Sequence, residues 1–179
     1  MIVIVGHGPS ANSVDGSWLD SQVVVRLKDP YGLNDSSMAH RGVTPGTRTD
    51  IMCSRHTMYR RGYEQYPYWL YPRKPVRPKI DGVWVADVER WSAYWAENGG
   101  VIDGKTIKPS SGMCAIFCAI ENGWEKIGLV GFDSFFYDCD VNPHIGYLER
   151  RIAESLCDIE NCSPADCIYG EYGELKYGG

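Results

Sequence analysis

Two short segments of this 179-residue chain hold residue types that bind phosphate and accept protons. The first is Pro109-Ser110-Ser111-Gly112, which stands directly before apolar residues at helical spacing. Serine hydroxyls and the unpaired N–H groups at a helix start attract anions, so this segment predicts a phosphate site. The second holds His144 and, five residues later, Glu149. Because an imidazole accepts protons near neutral pH, the pair of segments is the arrangement expected of a group-transfer enzyme with a nucleotide donor.

The two residues of the second segment are predicted to act separately. His144 follows Asn142-Pro143 at a predicted helix start, where the helix dipole keeps an imidazole neutral and therefore suited to act as a base. Glu149 lies five residues on, off the helix face that His144 occupies. We therefore expect Glu149 to be a structural or surface carboxylate.

A glycine loop, Gly6-His7-Gly8-Pro9-Ser10-Ala11, follows the first apolar segment and satisfies the G-x-G-x-x-A pattern of dinucleotide-binding proteins. That pattern also requires a good helix directly afterwards, whereas residues 12–17 are mostly poor helix formers. The second apolar segment ends in Arg26 rather than in an acid, and an arginine suits the 2′-phosphate of NADP. The loop predicts close approach of the backbone to a nucleotide, with NADP binding or a tight turn without a ligand as alternatives.

Apolar runs that alternate with helical patterns must position these segments. The predicted strands are Ile2–Val5, Val23–Arg26, Asp50–Cys53, Tyr68–Tyr71 and Lys126–Val130. The predicted helices are Arg55–Gln65, Val88–Glu97, Ser111–Asn122 and Ile145–Asp158. This alternation predicts a single α/β domain over residues 1–179, Rossmann-like, with a mostly parallel sheet flanked by helices. The Gly6 loop and the Ser111 helix should meet at the strand ends, and the Gly- and Tyr-rich tail 164–179 should be partly mobile.

Composition excludes several classes of protein. A net charge of −5 and a pI near 5.3 argue against a general nucleic-acid binder. Only four apolar residues precede Gly6 and no later run approaches the roughly 20 that a membrane span needs, so we expect a soluble cytoplasmic protein without a signal peptide. Cys157, Cys162 and Cys167 match no common zinc pattern. Asp138-Cys139-Asp140 has the D-x-D form that suits Mg²⁺ or Mn²⁺, but such pairs arise readily in an acidic half-chain, and we predict no metal.

Four groups of residues occur in an order shared with a known family. They are Val3–Ser10 with Val24–Lys28 and Gly46–Asp50, then Pro109–Gly112 with Val130–Phe132, then Phe136–Cys139, and last His144 with Glu149. In this order the chain resembles the sialyltransferases of glycosyltransferase family 29 and, more distantly, bacterial transferases that use CMP-Kdo. The resemblance covers about residues 2–53 and 108–152. It implies a variant of the GT-A arrangement and metal-independent, inverting transfer of a sialic-acid-like or Kdo-like sugar from a CMP donor to a glycan or other hydroxyl acceptor, without a cofactor.

The resemblance also implies roles for residues by their position. His144 would be the general base. The residues expected to contact the donor nucleotide are Gly6, His7, Gly8 and Ser10 for the CMP, and Ser110, Ser111 and Gly112 for its ribose and phosphate. Further donor candidates are the basic Arg26, Lys28, Arg48 and Arg55, for which surface solvation is the alternative, and Tyr137, for which packing is the alternative. His7 and Lys28 replace two asparagines of the family, so a catalytically inactive nucleotide-binding module stays open beside an NADP-dependent oxidoreductase.

Overall fold

The structure is a computed structural model that describes residues 1–27, 45–55, 64–72, 74–75, 81–136 and 143–163. Its strands are β1 (Ile2–Val5), β2 (Val23–Leu27), β3 (Ile51–Ser54), β4 (Tyr68–Leu70), β5 (Val83–Val85), β6 (Val101–Ile102), β7 (Lys105–Thr106), β8 (Lys126–Val130) and β9 (Asp158–Asn161). Seven of them form one sheet in the order β5-β4-β3-β2-β1-β8-β9, and every pairing is parallel. The other two, β6 and β7, form a separate antiparallel hairpin.

The strand order reverses direction at β1. Strands β2 to β5 extend from one side of β1, whereas β8 and β9 extend from the other. The registers place Val3 opposite Val24 on β2 and opposite Gly128 on β8. In open parallel sheets, ligands bind beyond the carboxyl ends of the strands at such a reversal. A ligand is therefore expected to bind beside the loops that follow β1 and β8.

Helices cover both faces of this sheet. They are α1 (Gly16–Asp20), α2 (Val88–Glu97), α3 (Ser111–Glu121), α4 (Asp133–Phe136) and α5 (Pro143–Leu156), with a 3₁₀ turn at Pro9–Ser13. On one face, Phe117 of α3 stacks on Trp91 of α2 with ring centroids 4.5 Å apart. On the opposite face, Leu19 of α1 packs against the alternate residues of β1 and β2. Burial on both faces is why β1 is wholly apolar and why β2 is apolar except for Arg26.

The predicted Rossmann-like α/β fold with a mostly parallel sheet and flanking helices is confirmed. All five predicted strands exist, and each end lies within one residue of its predicted position. Helix α2 has the predicted bounds, and α3 ends one residue early at Glu121. The predicted helix Ile145–Asp158 was placed two residues too late, because α5 runs from Pro143 to Leu156 and Asp158 begins β9.

Two edge strands were missed for different reasons. Strand β5 has three residues, too few to show a period, and β9, Asp-Ile-Glu-Asn, has a single apolar residue. Most of the predicted helix Arg55–Gln65 and the whole tail 164–179 lie outside the described residues. Within the part of the chain that the structure describes, no helix is long and apolar enough to cross a membrane.

Candidate functional site

The glycine loop after β1 lies directly against the residues that follow β8. The Gly6 amide donates a hydrogen bond to the Val130 carbonyl at 2.7 Å, and the Gly8 amide donates to the Gly131 carbonyl at 2.9 Å. A Cβ atom at Gly8 would stand 2.6 Å from the Gly131 carbonyl oxygen. Glycine is therefore needed at position 8 for the backbones to approach this closely.

Ser10 is fully buried at the end of this loop. Its amide donates to Asp133 Oδ2 at 3.1 Å, and its hydroxyl donates to Asp133 Oδ1. Because the Ser10 hydroxyl already donates its only hydrogen to Asp133, the Ser163 hydroxyl must be the donor in the 2.8 Å contact between the two serines. Ser163 Oγ in turn accepts from the Gly131 amide at 3.0 Å. The network fastens the glycine loop to the end of β8 and to the segment after β9.

Asp133 occupies the place that a dinucleotide would need. In the dinucleotide fingerprint, the pyrophosphate binds the amides of the turn that follows the glycine loop. Here the Ser10 amide of that turn already has the Asp133 carboxylate as its acceptor. A second anion at the same amide would be repelled by this carboxylate, so the contact counts against a pyrophosphate site here.

The start of α3 is capped from two directions. Ser110 is the N-cap residue, and its hydroxyl accepts from the Met113 amide at 3.1 Å. That hydroxyl donates to Glu149 Oε2 at 2.8 Å, while Glu149 Oε1 accepts from the Ser110 amide. A capping box normally takes this second carboxylate from the third residue of the same helix. Here Glu149 supplies it from α5, so the two segments predicted to do chemistry are in direct contact.

Burial changes the acidity of Glu149. Its side chain is 1% exposed, and this desolvation raises the pKa of the carboxyl to about 7, although hydrogen bonds from Ser110 and the charge of Arg55 act in the opposite direction. A large part of the Glu149 population is therefore protonated at neutral pH. This confirms that Glu149 is structural, as the sequence predicted, and shows that it is not a surface carboxylate.

The amides of Ser111 and Gly112 have no acceptor among the described residues, as expected for the first two positions of a helix. They lie next to the glycine loop, with the Phe132 ring between. A Cβ atom at Gly112 would stand 2.5 Å from Phe132 Cε1, and one at Gly6 would stand 3.2 Å from Phe132 Cδ2. Two segments about a hundred residues apart therefore meet at one buried ring.

His7 and Arg26 both bind protein groups. His7 Nε2 lies 3.1 Å from the Leu27 carbonyl, which only accepts hydrogen bonds, so Nε2 carries a hydrogen and links the ends of β1 and β2. The fully buried Arg26 donates from Nε to the Arg48 carbonyl at 3.0 Å and from Nη2 to the Pro45 carbonyl at 2.9 Å. Arg26 thereby holds residues 45–49 against the sheet. Its predicted contact with the donor nucleotide remains a prediction.

His144 lies in the first turn of α5, and the structure describes its backbone position. Two residues later, Gly146 packs so closely on the Ser134 carbonyl of α4 that a Cβ atom would overlap it. Since α4 follows β8 after two residues, the start of α5 lies beyond the carboxyl end of β8. The backbone of His144 is thus at the same edge of the sheet as the Gly6 loop, and its role as a base remains a prediction.

Lys28, Tyr137, the Asp138–Asp140 segment and Cys167 lie outside the described residues. Within the ranges that are described, no group of three or more His, Cys, Asp or Glu side chains is arranged to hold a metal ion. Sequence reasoning missed Asp133 and Ser163. An acid directly after a buried strand and Gly131-Phe132 was a signal for Asp133, but Ser163 is 153 residues from its partner Ser10 and had none.

No protein-family model matches the sequence, and no curated protein matches it. Solved structures do match it in fold. A variant of the alpha-2,3/8-sialyltransferase CstII has a TM-score of 0.59 at 14% identity, over 94% of this chain and 84% of that one. The chain has a sialyltransferase-like fold.

Two further structures of the same enzyme agree with this result. CstII from Campylobacter jejuni in complex with the substrate analogue CMP-3FNeuAc matches with a TM-score of 0.57 at 14% identity, over 94% of this chain and 83% of that one. CstII in complex with a trisaccharide acceptor and CMP matches with a TM-score of 0.56 at 13% identity and the same coverage. The likeness concerns the fold, and the assignment to family 29 in particular remains a prediction.

Proposed function

We propose that this protein is a CMP-sugar-dependent glycosyltransferase. It transfers a sialic-acid-like or Kdo-like sugar to a hydroxyl of a glycan or other acceptor, with inversion and without a metal. The observation that carries the proposal is that the Gly6 loop and the free amides of Ser111 and Gly112 meet at Phe132, at the carboxyl edge of the sheet. The shared fold supports it, because matched structures hold CMP, CMP-3FNeuAc or an acceptor trisaccharide.

The chemistry follows from the two helix starts at that edge. The acceptor oxygen attacks the anomeric carbon from the side opposite the phosphate, and the bond from that carbon to the phosphate oxygen breaks. CMP leaves with the electron pair, and His144 takes the acceptor proton. The amides of Ser111 and Gly112, with the Ser111 hydroxyl, stabilise the negative charge on the departing phosphate.

Glu149 has a positioning role in this proposal. It lies on α5, the helix that begins next to His144, and it binds the residue that precedes the phosphate-binding amides. The contact between Glu149 and Ser110 therefore sets the separation between the base and the leaving group. Catalysis depends on such separations, since misplacement by about 1 Å costs roughly a hundredfold in rate.

The structure of the glycine loop argues against the alternative of an NADP-dependent oxidoreductase. Its G-x-G-x-x-A pattern leads into a 3₁₀ turn rather than a long helix. The Ser10 amide, where a pyrophosphate oxygen would bind, is hydrogen-bonded to Asp133. We therefore assign the loop to CMP contact only.

The test is ligand binding followed by turnover. Thermal-shift and calorimetric titrations of the purified protein should detect CMP and CMP-sialic acid or CMP-Kdo but not NADPH, because a ligand that binds only the folded protein stabilises it. In a transfer assay with glycan acceptors, His144→Ala should lose about 10²–10⁴-fold in turnover and still bind CMP. Binding of NADPH instead of CMP, or unchanged turnover in His144→Ala, would refute the proposal, and donor binding without turnover on any acceptor would indicate the inactive module.

A further inference from the structure

Arg55 places a cation at the start of α3. It is the residue directly after β3, and so it stands at the carboxyl edge of the sheet. Its Nη1 donates to the Pro109 carbonyl at 2.9 Å, next to the cap residue Ser110. The side chain as a whole is half-buried, whereas its Nε atom is fully buried.

The hydrogen-bonding capacity of this guanidinium is not used up. Its Nε is buried and has no hydrogen-bond partner, and within the described ranges no carboxylate forms an ion pair with it. An arginine cannot lose its charge in a protein, so a partly desolvated guanidinium without an anion is costly. Buried polar atoms without partners are rare in folded proteins and need an explanation.

Among the described residues, the groups that the charge of Arg55 reaches supply only part of a counter-charge. Burial raises the pKa values of Tyr71 and Cys114, two groups that the charge of Arg55 reaches, so both are neutral at physiological pH. Glu149 is also within reach of that charge, but both of its oxygens already accept from Ser110, and its raised pKa leaves it only partly ionised at neutral pH. Within the described residues, Arg55 therefore lacks a full counter-charge.

The remaining edge of the guanidinium suits an oxyanion. With Nη1 on the Pro109 carbonyl, the Nε side of the fork is left to donate, and parallel N–H groups of arginine bind carboxylates and phosphates in a bidentate manner. The free amides of Ser111 and Gly112 lie at the same helix start. A CMP-activated sialic-acid-like or Kdo-like sugar has two anions on one carbon, a carboxylate and a phosphate, which fits two adjacent sites of this kind.

We propose that Arg55 binds the carboxylate of the donor sugar, beside the phosphate that binds to the start of α3. The proposal rests on the proposed function and deepens it, because it makes Arg55 the residue that selects acidic sugars. The carboxylate binds along the guanidinium edge formed by Nη2 and Nε, while Nη1 keeps the guanidinium attached to Pro109. Neutral nucleotide sugars leave this cation unpaired and bind more weakly.

Calorimetric titrations with three probes separate the contributions of base, phosphate and carboxylate. Cytidine has neither anion, CMP has the phosphate, and CMP-3FNeuAc has both. In Arg55→Gln, affinity for CMP-3FNeuAc should fall about 10- to 100-fold, as for the loss of hydrogen bonds to a charged group, while affinity for CMP and cytidine changes little. Arg55→Lys keeps the charge but lacks the planar guanidinium, so its affinity for CMP-3FNeuAc should lie between those of the wild type and Arg55→Gln.

The matched control is Arg151→Gln. Arg151 is exposed and donates from Nη2 to the Asn98 carbonyl at 3.1 Å, so its loss removes the same charge and one bond to a backbone carbonyl. This control should bind all three probes as the wild type does. Circular dichroism and the melting temperature establish that each variant is folded, and if Arg55→Gln is not, Arg55→Lys carries the test.

The outcomes separate the inference from the proposed function. Equal weakening of all three probes in Arg55→Gln would mean that Arg55 acts only through Pro109 and would overturn the inference. Weakening that already appears with CMP would place the phosphate on Arg55 and overturn the assignment to the carboxylate, and unchanged binding would overturn any donor contact. A wild-type protein that binds none of the probes would refute the proposed function itself.

Discussion

Replacing Glu149 with glutamine should make the protein more stable at high pH. The carboxyl has an ordinary pKa of 4.5, and burial in the folded protein raises its pKa to about 7. Between these values the folded chain keeps a proton that the unfolded chain has lost. The stability of the wild type therefore falls as the pH rises from about 4.5 to about 7, since ionisation is easier in the unfolded state.

The magnitude follows from the two pKa values. One pKa unit corresponds to about 1.4 kcal/mol, so the full penalty above pH 7 is about 3 kcal/mol. Glutamine cannot ionise, and its side-chain oxygen can still accept from the Ser110 amide. Glu149→Gln should therefore match the wild type near pH 4.5 and exceed its free energy of unfolding by about 3 kcal/mol at pH 8.

Urea denaturation at several pH values between 4.5 and 8 measures this difference. Glu154→Gln is the matched control, because Glu154 lies on the same helix but forms an exposed ion pair with Arg150 at 2.7 Å. Exposed pairs contribute at most about 1 kcal/mol, so this variant should keep the pH dependence of the wild type. If the difference between Glu149→Gln and the wild type is the same at pH 4.5 and pH 8, Glu149 is not destabilised by burial and the reasoning fails.

Three further changes test the contacts around the site by urea denaturation. Ser110→Ala removes the cap of α3 and should cost about 1 kcal/mol of unfolding free energy; no measurable loss would contradict the capping role. Gly112→Ala places a Cβ atom 2.5 Å from Phe132 Cε1, which should cost about 1–3 kcal/mol and weaken CMP binding, and a variant that behaves as the wild type in both would disprove the close contact. Asp133→Ala leaves the buried Ser10 without its acceptor, which should cost about 1–3 kcal/mol, whereas an unchanged urea midpoint would mean that this network is not stabilising.

The candidate site could be predicted from the sequence in part. Ser110-Ser111-Gly112 directly before a helix indicated free amides at a helix start, and such a signal is local, because capping involves residues three apart. The contact of Glu149 with Ser110 joins residues 39 positions apart, and the contact of Arg55 with Pro109 joins residues 54 apart. No local pattern contains such pairs, so the acidity of Glu149 and the partly unpaired state of Arg55 became evident only in the folded chain.

The sequence by itself determined the type of fold and most of its strands. Strands that are buried on both faces are mostly continuous apolar runs, and that pattern is visible in Ile2–Val5 and in residues 127–130 without knowledge of their neighbours. The edge strand Asp158–Asn161 carries no such requirement and was decided by pairing with β8. Tertiary structure alone decided which polar groups are buried together, because burial and long-range pairing depend on the whole packed chain. The acid that fills the turn after the glycine loop, the carboxylate that caps α3 and the cation beside that cap are all products of this packing.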